Sequence, residues 1–431
     1  MIALILALLI GLTGPALAEQ DRYILNTNGS AVMAGAAGDV LIGPGRYSRM
    51  EALGDSGLYA ATPSGGTLMG VIDADGTALT AFDMSQLSWC GGYIIFTRGE
   101  LCGVMDAKGR VTIEPAYTRL IGAGDGFLAL KTSPLDDLPD DIIRVEADGT
   151  ARATGAATAS GLPALSDGMT EVMNTVGLFG CVDERGGWAI EPAFKWIGAF
   201  REGRAAAATR EGFGLIDKSG QWIVQPVYDR VELGGPAGAP AIALGDGFAA
   251  LLDPQTGREL TRVTAPDADA VYREGAVMLR AEGRLTLVDL QGALLYEAPD
   301  DAVWLDHQSG RIIVQRAPSE EKPFSLVDAE GQTYGAWQSL TFAGLSGGTM
   351  YYISARYEAE RTDIPERGIT FYDEIAGTRR YDLVGENGEV VSAGYIDLTP
   401  ADGGLIRAET ENWIGLIRPS GEVVMRLEKE E

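Results

Sequence analysis

The sequence predicts an all-β protein made of about ten copies of a unit of 33–40 residues. Three observations lead to this prediction. The tetrapeptide Asp-x-x-Gly recurs at nearly constant spacing, and proline and an aromatic residue follow it at fixed offsets. In addition, no window keeps the three-to-four-residue spacing of apolar residues that an amphipathic helix requires.

The Asp-x-x-Gly tetrapeptide marks the repeat. Its clear copies begin at Asp73, Asp106, Asp183, Asp217, Asp289 and Asp328, and looser copies begin at Glu146, Asp253, Gly385 and Arg418. From residue 73 the successive spacings are 33, 40, 37, 34, 36, 36, 39, 57 and 33 residues. An Asp at the first turn position can accept hydrogen bonds from backbone N–H groups further along, and Gly tolerates the left-handed conformation. Each copy therefore predicts a β-hairpin turn.

Further residues recur at fixed places in the unit. A proline lies nine residues past the Asp at Pro115, Pro192 and Pro226, and an aromatic residue follows at Tyr117, Phe194 and Tyr228. Because proline cannot donate to a sheet ladder, it is expected to end the third strand of the unit. With an apolar run upstream of the turn and a further stretch after the aromatic residue, each unit is predicted to contain four short strands.

These features resemble the WG-repeat family of exported bacterial β-repeat proteins. The best copies are "LCGVMDAKGRVTIEPAY" (101–117), "LFGCVDERGGWAIEPAF" (178–194) and "GFGLIDKSGQWIVQPVYD" (212–229). The tryptophan that names the family is replaced by Cys102, Phe179, Phe213 or Met69, and units after residue 240 lose the Gly and the Pro. The shared structural motif positions are Gly103, Asp106, Gly109, Pro115, Gly180, Asp183, Gly186, Pro192, Gly214, Asp217, Gly220 and Pro226. The resemblance implies a propeller-like or solenoid scaffold without family-wide catalytic residues.

Four strands in a unit of this size correspond to one blade of a β-propeller. We therefore predict a β-propeller-like fold, with an open β-solenoid as the alternative. Closure of the ring is expected to require the segment "DRYILNTNGSAVM" (21–33) to pair with strands of the last unit, because both terminal edges would otherwise stay exposed.

The N-terminus has the pattern of a secretory signal peptide. An apolar run of 11 residues, Ile2 to Leu12, precedes the small-x-small sequence Ala16-Leu17-Ala18, although no basic residue comes before the run. The run is too short for a permanent membrane span, which needs about 20 residues. We predict a signal peptide at 1–18, a β-repeat domain at 19–431, and a secreted or periplasmic location.

The formal net charge of −27 narrows the classes of partner. Such a surface repels nucleic acid backbones and anionic lipid headgroups, so neither is expected to bind. A protein or a cell-envelope component is the predicted partner, without a membrane span in the mature chain. The oligomeric state stays open.

The residues typical of catalysis or metal binding are few. His307 has Asp306 beside it and Ser309 nearby, but adjacent residues on a strand point to opposite faces, which argues against a Ser-His-Asp relay. One histidine and three cysteines (Cys90, Cys102 and Cys181) do not form a zinc pattern, and a Cys90–Cys102 disulfide stays open. Calcium binding by Asp73 and Asp75, or by the acidic stretch 136–141, is the weaker interpretation, because turn chemistry explains such Asp residues. No cofactor is predicted.

The interval of 57 residues contains an insertion at about 355–381. Long loops on rigid scaffolds often carry function, and arginine with aromatic residues is typical of binding sites. The predicted ligand-binding residues are Arg361, Arg367, Tyr372, Arg379 and Arg380. The alternative is a surface hairpin whose arginines offset neighbouring acids.

Together these patterns favour an exported, non-catalytic β-repeat scaffold that binds a protein or envelope ligand through its loops. One alternative is a propeller-type hydrolase acting on glycans, for which none of the 61 acidic residues stands out. Another is a calcium-tuned adhesive module.

Overall fold

The computed structural model describes residues 22–27, 29–35, 39–132, 139–317, 321–364 and 369–429. In this part of the chain there are 42 strands and one single-turn 3-10 helix, Asp402–Gly404. The strands form a ten-bladed β-propeller, so the predictions of an all-β fold and of a propeller are confirmed. The open solenoid is wrong. The predicted signal peptide lies outside the described residues.

Blades 1 to 5 are formed by the first twenty strands. Blade 1 contains β1 (Arg22–Thr27), β2 (Ser30–Gly35), β3 (Val40–Ala52), β4 (Tyr59–Pro63) and β5 (Gly70–Ile72). Blade 2 contains β6 (Gln86–Cys90), β7 (Tyr93–Arg98), β8 (Leu101–Asp106) and β9 (Val111–Tyr117). Blade 3 contains β10 (Arg119–Ala123), β11 (Gly126–Lys131), β12 (Asp140–Glu146) and β13 (Ala151–Thr158). The three strands of blade 4 are β14 (Met169–Met173), β15 (Phe179–Asp183) and β16 (Trp188–Phe194), and blade 5 has β17 (Trp196–Ile197), β18 (Arg204–Ala208), β19 (Phe213–Asp217) and β20 (Trp222–Tyr228).

Blades 6 to 10 follow in chain order. Blade 6 contains β21 (Arg230–Glu232), β22 (Ala241–Gly245), β23 (Phe248–Leu252) and β24 (Glu259–Thr264). Blade 7 contains β25 (Asp269–Arg273), β26 (Ala276–Ala281), β27 (Arg284–Asp289) and β28 (Leu294–Glu297), and blade 8 contains β29 (Ala302–Gln308), β30 (Arg311–Arg316), β31 (Phe324–Val327) and β32 (Thr333–Trp337). Blade 9 consists of β33 (Ser339–Ser346), β34 (Thr349–Arg356), β37 (Arg380–Gly385) and β38 (Val390–Tyr395), with β35 (Ala359–Ile364) and β36 (Ile369–Glu374) inserted. Blade 10 contains β39 (Asp397–Ala401), β40 (Leu405–Glu409), β41 (Trp413–Ile417) and β42 (Val423–Glu428).

The sequence repeat and the blade are offset by one strand. The stretch after each repeat's aromatic residue becomes the first strand of the next blade: β21 follows Tyr228 and pairs with β22 in blade 6. Each sequence unit therefore contributes to two neighbouring sheets, which links every blade covalently and spatially to the next.

The Asp-x-x-Gly turns share one hydrogen-bond pattern. In blade 5, one carboxylate oxygen of Asp217 accepts the N–H groups of Ser219 at 2.8 Å and Gln221 at 3.0 Å. Asp106 and Asp183 accept the N–H groups two and four residues further on in the same way. The fourth turn residues Gly109, Gly186 and Gly220 all have φ between 77° and 84°. Hydrogen bonds from the Ser219 side chain and from the backbone lower the pKa of Asp217.

The motif glycine and proline belong to one structural feature, a bulge in the last strand. In blade 5, Phe213 pairs with Tyr228 and Leu215 pairs with Val224, so the last strand carries two extra residues around Pro226. A Cβ atom on Gly214 would lie 2.2 Å from the Val224 carbonyl oxygen. Blades 2 and 4 show the same register shift, with Gly103 opposite the bulge of Pro115 and Gly180 opposite that of Pro192. Glycine is required there because the bulged backbone lies directly over it.

Blade 1 is a sheet folded over on itself. The first part of the long strand β3 pairs with β2, and its last part pairs with β4. Residues of this one sheet, including Ala31, Met33, Ala61 and Ile72, form a cluster in which each is almost fully buried. A flat sheet would leave this apolar face exposed to solvent. The two halves of the blade 1 sheet therefore pack against each other.

The ring closes by face-to-face packing. Leu25 and Val32 of blade 1 pack against Leu405, Leu416 and Met425 of blade 10. The expectation that the N-terminal segment pairs with strands of the last unit is wrong, because β1 and β2 pair within blade 1. The N-terminal segment thus belongs to the blade 1 sheet, and its side chains bury the apolar face of blade 10.

Candidate functional site

The insertion in blade 9 forms a ribbon outside the blade sheet. Strands β35 and β36 pair with each other, with Arg361 opposite Tyr372, and form a separate two-stranded sheet. In blade 7, the same connection between second and third strands is the two-residue turn Glu282-Gly283. We call residues 357–379 the blade 9 ribbon.

The arginines predicted to bind a ligand are paired with acids of this chain. Arg361 lies 3.1 Å from Asp363. Arg379 is bonded to Glu374 through two nitrogens, and its guanidinium lies 4.9 Å from the centre of the Tyr357 ring. These bonds from Arg379 lower the pKa of Glu374. The arginines of the described part of the ribbon therefore do not present isolated positive charge.

The remaining predicted residues are Arg380, Tyr372 and Arg367. Arg380 is 3.9 Å from Glu411 of blade 10, and Tyr372 lies across from Arg361. Arg367 lies outside the described residues. The described part of the ribbon contains two arginines and five carboxylates, so it is acidic rather than basic. The arginine–acid pairs agree with the alternative interpretation of a surface hairpin whose arginines offset neighbouring acids.

Two wide cavities lie between neighbouring blades on either side of blade 1. Cavity A, about 740 Å³, lies between blades 10 and 1, and its lining includes Arg22, Asp55 and Leu405. Cavity B, about 650 Å³, is lined by residues of blades 1, 2 and 3 together with Ala164 and Leu165. The two cavities share the residues Glu51, Ala52 and Gly54.

Trp89 is held at the junction of the two cavities. Its indole N–H donates to the Asp55 carboxylate at 2.7 Å. Gly54 has a φ of 57°, and a Cβ atom there would lie 2.6 Å from Cδ1 of the indole. The position of Trp89 thus depends on a glycine and an acid from the neighbouring blade. No sequence signal marked this site, because its residues come from different repeats.

The other candidate residues have structural surroundings. The His307 ring bonds the Glu274 carbonyl and accepts the Gly310 N–H, while Asp306 lies 3.8 Å from Arg273. Asp73 accepts the N–H groups of Asp75 and Thr77, as the turn aspartates do.

The three cysteines are free thiols, so a Cys90–Cys102 disulfide is not formed. Cys102 lies opposite Thr97 in the sheet, and Cys90 pairs with Tyr93 at the far end of its hairpin. Burial, together with the nearby Glu171, raises the pKa of Cys181 to about 12. Among the described residues, no group of three or more His, Cys, Asp or Glu side chains is placed to hold a metal ion. Residues 136–138 of the acidic stretch 136–141 lie outside that part. None of the described helices has the length and apolar character that a membrane span requires.

Comparison with known proteins gives a family match over part of the chain. No curated protein matches the sequence significantly. Among solved structures, "Crystal structure of the eukaryotic initiation factor" is similar with a TM-score of 0.40 and 10% identity, over 95% of this chain and 96% of that one. The structure of apo AztD from Citrobacter koseri has a TM-score of 0.30 and 14% identity, over 73% and 93% of the two chains. BamB from Moraxella catarrhalis has a TM-score of 0.28 and 14% identity, over 78% and 92%.

Similarities as low as these do not indicate a shared function. The family of the "WG containing repeat" matches residues 179–209 and 213–233, which cover most of blades 4 and 5. The bulged Gly–Pro geometry of both blades agrees with that match. The resemblance seen in the sequence is thereby confirmed, and the chain carries WG containing repeats at residues 179–209 and 213–233.

Proposed function

We propose that the protein is an exported, non-catalytic propeller scaffold whose blade 9 ribbon binds a protein partner with a basic surface. The observation that supports this most is the ribbon itself. It replaces a connection that needs only two residues in blade 7, and its strands pair with each other rather than with the blade.

The charge of the ribbon supports a basic partner. Its described residues include Glu358, Glu360, Asp363, Asp373 and Glu374 against Arg361 and Arg379. The chain as a whole has a net charge of −27, which attracts basic surfaces over a distance of about one Debye length. Exposed ion pairs such as Arg361–Asp363 contribute little to stability, so exchanging them for contacts with a partner costs little.

The ribbon also has a geometry suited to recognition. An isolated two-stranded sheet is at most marginally stable in water, and a partner that covers it adds the missing packing. Tyr372 and Tyr357 supply aromatic surface of the kind that concentrates binding energy.

The experiment that tests the proposal is site-specific photo-crosslinking in the native envelope. A photo-reactive phenylalanine analogue replaces Tyr372, and in a control it replaces the exposed Gln291 in the turn of blade 7. We expect one discrete adduct from position 372, absent from position 291 and weakened by added salt. Equal adducts from both positions, or none from position 372, would exclude the ribbon as the binding surface.

Export is tested separately by cell fractionation and intact-mass measurement. The proposal expects a mature chain that begins at Glu19 outside the cytoplasm, and a variant without residues 2–18 retained inside. Cytoplasmic recovery of the full-length chain would contradict export without affecting the binding test, which can be repeated in an extract.

A further inference from the structure

We infer that cavities A and B together form one binding site for a neutral, hydroxyl-rich ligand, namely an oligosaccharide, with Trp89 as its aromatic contact. This site is distant in sequence from the blade 9 ribbon, and the inference does not depend on the proposed function. Four properties of the cavities support it: their continuity, their charge, their backbone edges and their aromatic residue.

The two cavities form one extended surface. They share the wall at Glu51, Ala52 and Gly54, and each has a volume of several hundred cubic ångströms. Ligand sites in proteins typically have volumes of about 300–1,000 Å³. The joined space therefore suits an elongated ligand that crosses from blade 10 over blade 1 to blade 3, rather than a single small molecule.

The lining is electrically balanced in a strongly acidic protein. Among the described residues that line the cavities, the charged ones are Arg22, Arg119, Glu51 and Asp55, two of each sign. The chain around them has a net charge of −27. A cationic ligand would be expected to collect carboxylates at its site, and an anionic ligand would be repelled by the surrounding field. A neutral ligand fits the observed balance.

The first strands of blades 2 and 3 supply neutral hydrogen-bonding groups. Strands β6 and β10 are the first strands of their sheets, and within the described residues each pairs on one side only. Their other edges thus present backbone N–H and C=O groups, next to the exposed side chains of Gln86 and Ser88. Hydroxyl groups donate and accept, so they can use both kinds of backbone group.

An extended peptide could also pair with a strand edge, but the direction of the cavity disfavours it. Cavity B runs across the first strands of blades 2 and 3 instead of along one of them, and β6 and β10 have only five residues each. Strand addition needs one continuous edge. A chain of sugar rings has no such requirement.

Trp89 provides the apolar surface that the flat face of a sugar ring requires. The half-buried indole lines cavity B, and the bond to Asp55 fixes its orientation. An immobilised aromatic ring loses little conformational entropy on binding, so most of its contact energy is kept.

The test uses the mature chain, residues 19–431, on an array of neutral oligosaccharides of hexoses and N-acetylhexosamines with uronic acid and sulfated counterparts. We expect binding to one or more neutral chains and not to their acidic counterparts. The strongest neutral chain is then titrated by calorimetry. Trp89→Ala is expected to weaken binding about tenfold or more, as removal of a central aromatic contact does.

Trp196→Ala is the matched control, because Trp196 also lies on a first strand, is 40% exposed and does not line either cavity. It is expected to bind as the unmodified chain does. Asp55→Asn is the second variant. It keeps an acceptor for the indole and is expected to bind with an affinity between those of the unmodified chain and Trp89→Ala.

Hydrogen exchange locates the site independently of folding defects in any variant. With the neutral chain bound, residues 86–90 and 119–122 are expected to gain protection. Binding to acidic glycans only, equal loss in Trp89→Ala and Trp196→Ala, or the absence of any bound neutral chain would each overturn the inference. Because the blade 9 ribbon is intact in all these variants, such a result leaves the crosslinking test of the proposed function unaffected.

Discussion

Blades 5 and 6 are neighbouring four-stranded sheets that differ in how their third and fourth strands pair. In blade 5, Gly214 lies beneath the bulge of Pro226, and two extra residues enter the last strand. In blade 6, the equivalent position holds the buried Ala250, which lies opposite Arg262 in the regular part of the ladder from Phe248 to Leu251. Both faces meet in one apolar cluster that includes Leu215 and Ala250.

The sequence requirements of a blade differ from those of the Gly–Pro motif. A blade needs four short strands with apolar faces, which both sheets have. The Gly–Pro pair accompanies the bulge of the last strand in blades 2, 4 and 5, where the backbone of that strand approaches the facing glycine too closely for a side chain. A chain can therefore lose the WG pattern in its later units and keep the propeller. The family match covers residues 179–209 and 213–233.

The largest expected effect comes from exchanging the residues at this position. Gly214→Ala introduces a methyl group 2.2 Å from the Val224 carbonyl oxygen, so the bulge must move. We expect a loss of about 1–3 kcal/mol in the free energy of unfolding, measured by chemical denaturation. The reciprocal control, Ala250→Gly, should cost about 1 kcal/mol or less, because it only adds backbone freedom and removes one methyl group. Equal losses in the two variants would show that the bulge does not distinguish the blades.

The turn aspartate is expected to have a smaller effect. Asp217→Ala removes the acceptor for the N–H groups of Ser219 and Gln221, at an expected cost of about 1 kcal/mol at neutral pH. Arg418 occupies the same turn position in blade 10 and lacks that acceptor, so Arg418→Ala should change stability by less. If Arg418→Ala costs as much, the turn bonds do not explain the recurrence of Asp.

The difference in stability between the unmodified chain and Asp217→Ala is also expected to depend on pH. Hydrogen bonds lower the pKa of Asp217 below its ordinary value of 3.8. A carboxylate with a lowered pKa stabilises the fold fully above the unfolded-state value, and this contribution is lost as the pH falls through the folded-state pKa. The difference in stability between the unmodified chain and Asp217→Ala is therefore expected to be constant above about pH 5 and to shrink below about pH 4. A difference that grows on acidification would contradict the assignment.

The smallest effect is expected for the blade 9 ribbon. Arg356 and Arg380 face each other at its base, so a Glu-Gly turn like that of blade 7 can replace residues 357–379. Because the ribbon forms its own sheet, the melting temperature should change by no more than about 2 °C. A large decrease, measured by calorimetry, would show that the ribbon supports blade 9 and is not an appended binding element.

Much of the architecture could be predicted from local chemistry. The turn at Asp217 and the strand break at Pro226 depend on the residues themselves, so the strand pattern and the all-β fold were predictable. The sheet that the fourth strand of each unit joins was not predictable, since the pairing of β21 with β22 is decided by packing between blades. The fold-over of blade 1 has the same origin.

The candidate functional residues differ in how far they could be predicted from the sequence. The bond from Trp89 to Asp55 joins two different repeats that the ring brings together, so no local pattern in the sequence indicates it. The arginines of the ribbon were visible in the sequence, and so were their partners, because Arg361 pairs with Asp363 two residues along and Arg379 with Glu374 five residues before it. Cavities A and B have no counterpart in the linear sequence.

Blade 1 and blade 10 are neighbours in a closed ring. Double electron–electron resonance tests it with spin labels at exposed positions on the last strand of blade 10 and the first half of blade 1, Arg426 and Leu41. A second pair joins Leu41 to the exposed Thr264 of blade 6, on the far side of the ring. The closed propeller predicts that the Leu41–Arg426 distance is clearly the shorter of the two. A Leu41–Arg426 distance longer than the Leu41–Thr264 distance would contradict closure.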